Sequence, residues 1–196
     1  MYNGDIRVIN DAGKNKLLVN EVHQSSGYIY KFWNHAVHTL LIARNVQNKK
    51  ILILGVAGGT VIHILSRLFP KAQMIGVDID SVMIEIGKRY FGLSGIPHLS
   101  LVTADANAYI HKSQKKFDLI IVDVYVARDL PDFLRERKFL RAIRTRLASG
   151  GYVLINYLRD GEYGEKVKEL EKNLTHVFDE VHYTNYLNNR FFLARK

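Results

Sequence analysis

One stretch of this chain leaves the fewest choices for its fold: Ile51-Leu-Ile-Leu-Gly55-Val-Ala-Gly58-Gly59-Thr60, running on to Gly76-Val-Asp78-Ile-Asp80. Residues 51–54 are a short run of branched apolar side chains, as expected of a strand buried on both faces. A glycine-rich turn follows, and Val61, Ile62, Ile64, Leu65 and Leu68 then recur at helical spacing until Pro70 ends the segment. A second strand over 73–77 stops at Asp78, about twenty residues past the glycines, where a ribose-binding acid belongs. Strand, glycine turn, helix, strand and acid make a nucleoside-binding βαβ unit. Glycine lets the backbone approach a ligand, the helix N-terminus offers unpaired N–H groups, and a carboxylate accepts both hydrogen bonds of a ribose diol. The glycines alone would equally suit a structural turn; the spaced acid and the repeats beyond it argue for binding.

The same rhythm continues downstream. Asp80 or Ser81 caps a predicted helix carrying Val82, Ile84, Ile86 and Tyr90, which Gly92 ends. A third strand spans 99–103 and closes in Ala104-Asp105-Ala106. A fourth, strongly apolar, spans 117–122 and closes in Asp123-Val-Tyr125-Val126. Asp129-Leu-Pro131-Asp132 reads as the start of a helix running to Leu147, and Ser149-Gly150-Gly151 as a turn into a fifth strand over 152–157. An amphipathic helix over 162–175 precedes two strands, 178–186 and 190–194, that close the chain as a hairpin. At the front, 5–10 and 16–23 read as strands about the Gly13 turn, and 28–46 as an aromatic-rich helix. The expected fold is α/β: a doubly wound, mainly parallel Rossmann-like sheet with a C-terminal antiparallel hairpin and a small N-terminal β-hairpin. The expected division is an N-terminal hairpin over 1–26 and a nucleoside-binding domain over 27–196.

Composition narrows the functional classes. The 196 residues suffice for one domain with a full core. Without cysteine there is no disulfide, thiol nucleophile or thiolate metal site. No apolar run reaches the eighteen or so residues of a membrane span, and Met-Tyr-Asn-Gly-Asp lacks the regions of a signal peptide, so cytoplasm is the expected compartment. His35 and His38 lie one helical turn apart with no assignable third ligand, and no metal is expected. The formal charge of +9 would suit a polyanion such as nucleic acid. Yet Arg137, Arg141 and Arg144 on one helix face read as solvated surface, and no nucleic-acid module accompanies them. A basic protein is a poor host for a cationic substrate unless it builds a local acidic pocket. Tyr28, Tyr30, Phe32 and Trp33 read as core or as a homo-oligomer contact rather than as a pocket wall. Asp78, Asp105 and Asp123 close three successive strands, where a doubly wound sheet binds its ligands, although each would also serve as a helix cap.

Taken together, the βαβ opening, Val77-Asp78-Ile79-Asp80, Thr103-Ala-Asp105-Ala, Phe117-Asp118-Leu-Ile-Ile-Val-Asp123 and Leu147-Ala-Ser-Gly150-Gly151 resemble a class I S-adenosylmethionine-dependent transferase. More narrowly, they resemble the spermidine synthase superfamily, including its methyltransferase-like members. The resemblance implies a methyltransferase-type sheet and S-adenosylmethionine as cofactor. It implies that Gly55, Val56, Ala57, Gly58 and Gly59 pass under the methionine portion. Asp78 would take the ribose hydroxyls, with Ile79 on the adenine face. Asp105 would accept from the adenine amino group, with Ala106 nearby, and Gln24 would contact the cofactor. Asp123 would stand beside the transferred group, where it and Tyr125 are the candidate catalytic residues.

Departures from the family pattern bear on the reaction. Spermidine synthases carry an acid within the glycine loop where this chain has Gly58, and a second acid after the fourth strand where it has Val126. Their N-terminal Asp-Glu is Ser26-Gly27 territory here. A polyamine is protonated at neutral pH, with nitrogens near pKa 10, and carboxylates must hold those cations. Methyl transfer to a small-molecule acceptor is therefore expected. Aminopropyl transfer from decarboxylated S-adenosylmethionine is the alternative, with Asp129, Asp132 or Glu21 as compensating acids. A non-catalytic, oligomeric nucleoside-binding module is the third reading.

Overall fold

The computed structural model describes residues 4–42, 50–126 and 129–196. Three short strands come first, β1 (Ile6–Asp11), β2 (Lys14–Val19) and β3 (Val22–Ser25), paired in that order as an antiparallel sheet. The expected hairpin therefore has a third strand. Its second turn is Asn20-Glu21, both at positive φ (48° and 64°), a hairpin geometry that no glycine advertises in the sequence. Helix α1 (Gly27–Ala36) follows, capped by the Ser26 side chain on the Ile29 N–H, and continues as a π-helical turn over Val37–Leu41. Residues 43–46, the end of the expected helix, lie outside the described residues.

Alternation then sets in: β4 (Lys50–Leu54), α2 (Thr60–Leu68), β5 (Gln73–Asp78), α3 (Ser81–Tyr90), β6 (Leu99–Thr103), α4 (Ala106–Lys112) and β7 (Phe117–Val122). After it come α5 (Arg137–Arg146), β8 (Leu147–Leu158), α6 (Tyr163–Val177), β9 (Glu180–Tyr186) and β10 (Asn189–Arg195). These seven strands form one sheet in the order β6-β5-β4-β7-β8-β10-β9. β4 pairs in parallel with β5 on one side and β7 on the other, whereas β10 runs antiparallel to both β8 and β9. The order reverses between β4 and β7, so that gap is the topological switch point.

The period-two geometry of a strand explains why the central segments are apolar at every position. Leu52 and Leu54 of β4, with Ile120 and Val122 of β7, face the layer of α4, α5 and α6. Ile51 and Ile53, with Leu119 and Ile121, face α1 and α2. Each such fully buried side chain contributes on the order of 1.5–3 kcal/mol. The small sheet rests Leu17 and Val19 on Met83 of α3, which holds it over one end of the large one.

Two boundaries differ from the sequence reading. The helix expected over 129–147 is split into a single 3-10 turn, Asp132–Arg135, and α5, with Glu136 extended between them (φ −70°, ψ 131°). Asn173 of α6 donates to the Arg135 carbonyl at 2.9 Å and gives it a partner outside any helix. The fifth strand begins at Leu147, ahead of the glycines, because Phe117 pairs with Leu147 and the register then slips, so that Leu119 pairs with Tyr152. Arg137 and Arg144 tie α5 to Asn173 and Asp179. No helix among the described residues is long and apolar enough to cross a membrane.

Candidate active site

The switch point is closed by backbone alone. Gly55 N donates to the Val77 carbonyl and Asp123 N to the Leu54 carbonyl, each at 2.8 Å. Gly55 sits at φ +93°, and a Cβ placed there would overlap the Asp123 carbonyl oxygen. Both facts exclude any other residue. A cavity of about 640 Å³ opens over this rim, a volume within the range of about 300–1,000 Å³ usual for small-molecule sites.

On one side of Gly55 the carboxylates hold backbone. Asp78 Oδ2 accepts from Val56 N (2.9 Å) and Ala57 N (3.2 Å), and Oδ1 from Asp80 N (3.0 Å). Asp80 caps α3 through Val82 N (3.0 Å), and Asp105 caps α4 through Ala108 N (2.7 Å). Asp78 and Asp105 nonetheless line the cavity, together with Val56, Ala57, Ile79 and Ala106. Gln24 reaches the wall from β3. Gly58 and Gly59 do not. A Cβ at Gly58 would lie 2.5 Å from Ser25 Cβ, so this glycine exists to seat β3 against the loop. Gly59, at φ +73°, starts α2 and packs under Leu93. The same contact explains why no acid stands at Gly58: its first carbon would need the β3 backbone to move.

On the other side the groups form a chain of side chains. Asp123 Oδ1 accepts from Asn156 Nδ2 (2.9 Å), and Oδ2 from Trp33 Nε1 (3.1 Å). Asn156 Oδ1 accepts from Asn189 Nδ2 (2.8 Å), which also reaches the Tyr125 hydroxyl at 3.5 Å. The Asn156 amide thus has one orientation, its NH₂ toward Asp123. Burial pushes the Asp123 carboxyl up to about 6, against the lowering effect of the Asn156 and Trp33 hydrogen bonds. Burial, and secondarily the Asp123 charge, holds the Tyr125 phenol well above its ordinary value, so it stays protonated.

Trp33, Asn156 and Asn189 were not among the expected site residues. Asn156 carried a signal all the same: an amide inside Val153-Leu-Ile-Asn156-Tyr, a run that is otherwise apolar and buried, needs a buried partner. The α1 aromatics divide, since Phe32 and Tyr28 line the cavity, Trp33 serves both core and Asp123, and Tyr30 is exposed. His35 bonds Thr184 at 3.1 Å, which makes it a tie between α1 and β9.

Charge is what sets this cavity apart in a chain of formal charge +9. Four carboxylates line it, Glu21, Asp78, Asp105 and Asp123, and among the described lining residues there is no Lys or Arg. Glu21 is paired with Arg7 at 2.7 Å.

Comparison with known proteins agrees with this architecture. The spermine/spermidine synthase domain matches residues 33–189. The polyamine aminopropyltransferase of Vibrio vulnificus is 33% identical over 115 residues, covering 57% of this chain and 38% of that protein. The chain thus matches well under two thirds of that relative's length. Among solved structures, a probable spermidine synthase from Corynebacterium glutamicum superposes with a TM-score of 0.84 at 18% identity, covering 97% of this chain and 76% of that one. Human methyltransferase-like protein 13, in complex with SAH, gives 0.71 at 22% identity, covering 85% and 81%. At such identities the structures speak for the fold, and the domain match for the lineage: this chain belongs to the spermine/spermidine synthase domain family.

Proposed function

We propose that the chain is a transferase that moves the aminopropyl group of decarboxylated S-adenosylmethionine onto an amine. The observation that carries this reading is the acidic lining of the cavity. The decarboxylated donor presents a sulfonium and an ammonium and no anion. Intact S-adenosylmethionine adds a carboxylate, which needs a cation or free N–H groups, and the loop N–H groups of Val56 and Ala57 are already taken by Asp78. The names of the curated relatives point the same way, so the sequence-based preference for methyl transfer gives way to its alternative.

The cavity's residues suit such a nucleoside. Asp78 would accept from the ribose, Ile79, Met83 and Ala106 would flank the base, and Asp105 would face its amino group. The bare backbone of Gly55 to Ala57 would lie beneath the sulfonium side. The donor supplies an activated carbon: the acceptor nitrogen's lone pair forms the C–N bond, the C–S bond breaks, and its electron pair stays on a neutral thioether. Asp123 has the matching task of orienting the acceptor nitrogen and taking the proton it sheds. A carboxyl near pKa 6 is ionised at neutral pH yet more basic than an ordinary one. Tyr125, fixed as a donor, would hydrogen-bond the incoming group. Alignment within a desolvated cavity supplies the rest.

One observation favours methyl transfer as a second reading: neither Gly58 nor Val126 provides the acids that the family pattern places there, and a neutral acceptor needs none. Calorimetry with decarboxylated and intact S-adenosylmethionine separates the two. The proposal expects tighter binding of the decarboxylated form and release of methylthioadenosine when an amine is added. Preference for the intact form, with release of its demethylated product, would replace it with the second reading. Binding of either without turnover would leave a nucleoside-binding module.

A further inference from the structure

The rim has a polarity that its individual residues do not reveal. Read across the sheet from β6, the strand ends carry Asp105, Asp78, Gly55 and Asp123, and then Asn156 of β8 and Asn189 of β10. Carboxylates occupy the half where the nucleoside would lie and stop at Asp123. Beyond it the polar groups are neutral and already committed to one another: Asn156 Oδ1 is bonded by Asn189, whose NH₂ also serves Tyr125. Among the described residues the remaining wall there includes Phe32, Val126, Pro131, Phe133 and Leu158.

Among the described residues, the three acids that could serve this half do not face it free: Asp129 and Asp132 do not line the cavity, and Glu21 lines it but is paired with a cation. Asp129 accepts from the Tyr163 hydroxyl at 3.0 Å, Asp132 pairs with Arg135, and Glu21 pairs with Arg7 across the small sheet. A diamine bound through one nitrogen at Asp123 would place its other nitrogen one or two strand spacings away, each about 4.8 Å, among amides and apolar side chains. That second nitrogen keeps its proton, and burying it without a carboxylate is strongly unfavourable.

We propose that the acceptor is an amine with a single basic nitrogen, held at Asp123, and an uncharged apolar body lying against Phe32, Val126, Pro131, Phe133 and Leu158. This rests on the reading of the chain as an aminopropyltransferase and specifies its second substrate. Asp123 takes a proton from the bound ammonium, the freed lone pair attacks the aminopropyl carbon, and the C–S electron pair leaves on sulfur as a neutral thioether. The proton passes from Asp123 to solvent while the product stays a secondary ammonium.

Matched pairs of amines test it: hexylamine against 1,6-diaminohexane, and phenethylamine against putrescine, with decarboxylated S-adenosylmethionine as donor and aminopropylated product read by mass spectrometry. The monoamine is expected to exceed its diamine partner in kcat/KM by about 100-fold or more. Val126→Asp, on a wall position that is 49% exposed and so tolerant of charge, is expected to narrow that ratio by at least about tenfold through better use of the diamine. Equal or better use of diamines by the unaltered protein overturns the inference and leaves the aminopropyl reading intact, as does an unchanged ratio in the variant. If no amine is turned over, calorimetry of the same pairs with methylthioadenosine present decides: selective binding of the monoamine upholds the inference, and equal or absent binding overturns it. Failure of the decarboxylated donor to bind overturns the donor reading alone.

Discussion

The two halves of the sheet rim are built on opposite plans. On the β6-β5-β4 side, each acid is tied to nearby main chain: Asp78 to three N–H groups within 22 residues, Asp80 and Asp105 to the first turns of the helices they begin. On the β7-β8-β10 side, side chains hold side chains across 33 to 90 residues of sequence. The first plan makes a rigid, charged receptor whose shape is set locally. The second makes a neutral surface that presents one carboxylate, and its geometry exists only when α1, β8 and β10 are all in place. A cationic nucleoside suits the first, and the second is where specificity for an acceptor can vary without disturbing the first.

The sharpest way to break this division is at its hinge. Gly55→Ala forces a Cβ into the Asp123 carbonyl at a φ of +93°, so both halves must move apart. Strained backbone and overpacking each cost roughly 1–3 kcal/mol, so a total loss of about 2–6 kcal/mol in unfolding free energy is expected, with donor binding abolished. Chemical denaturation and calorimetry together check it. Normal stability with normal binding would mean the strand ends are not in contact.

Asp78→Ala tests the local plan on its own. It removes the acceptor for Val56, Ala57 and Asp80 N–H groups and, in the proposed complex, for the ribose. Donor affinity is expected to fall by roughly 1–3 kcal/mol, while the acceptor-side pH behaviour stays that of the parent. Unchanged affinity in a folded variant would remove the nucleoside from this side of the rim.

These plans also explain what could be read from the sequence. The glycine turn, the spaced Asp78 and the strand–helix alternation are local patterns, so the doubly wound, mainly parallel sheet and the acids closing its strands followed from them, while the order of the strands did not. The packing of Gly58 on Ser25 and of Gly59 on Leu93 was not legible, because a glycine that makes room for a ligand and one that makes room for a neighbouring side chain look alike in one dimension. The Asn20-Glu21 turn was invisible because positive φ was taken up by non-glycine residues. Asn156, Asn189 and Trp33 were illegible as a group: nothing in sequence order says that β10 returns beside β8, or that a core tryptophan ends at a carboxylate.

Asn156→Leu tests the long-range plan. Asp123 would lose its shorter hydrogen bond, at 2.9 Å, while its burial remains, so its pKa must rise above about 6. The acid limb of the kcat/KM profile should move to higher pH, with loss of activity greatest near pH 6–7 and least at alkaline pH. Stability has its own sign. The folded carboxyl holds its proton between its ordinary value of 3.8 and about 6, after the unfolded chain has released it. Stability therefore falls as pH rises through that window and stays lower above it. In the variant the fall should continue to higher pH. An unmoved acid limb would show that Asp123 is not the group being titrated.

Trp33→Phe makes the smallest change and the finest discrimination. The substitution keeps an aromatic ring against Phe191 and Phe32, whose centroids lie 5.2 Å and 6.1 Å from that of Trp33, and deletes the Nε1–H donor to Asp123. Loss of ring volume from a fully buried site should cost about 1–2 kcal/mol of stability at every pH. If the indole were core and nothing more, that would be the whole effect and the pH profile would not move. Because its 3.1 Å bond is the longer and weaker of the two to Asp123, the acid limb should shift upward, by less than in Asn156→Leu. Since the two side chains share one carboxylate, the double variant should depart from the sum of the single shifts. Strict additivity would mean that α1 and β8 act on the site separately, and the neutral half would then be two unrelated walls rather than one assembled surface.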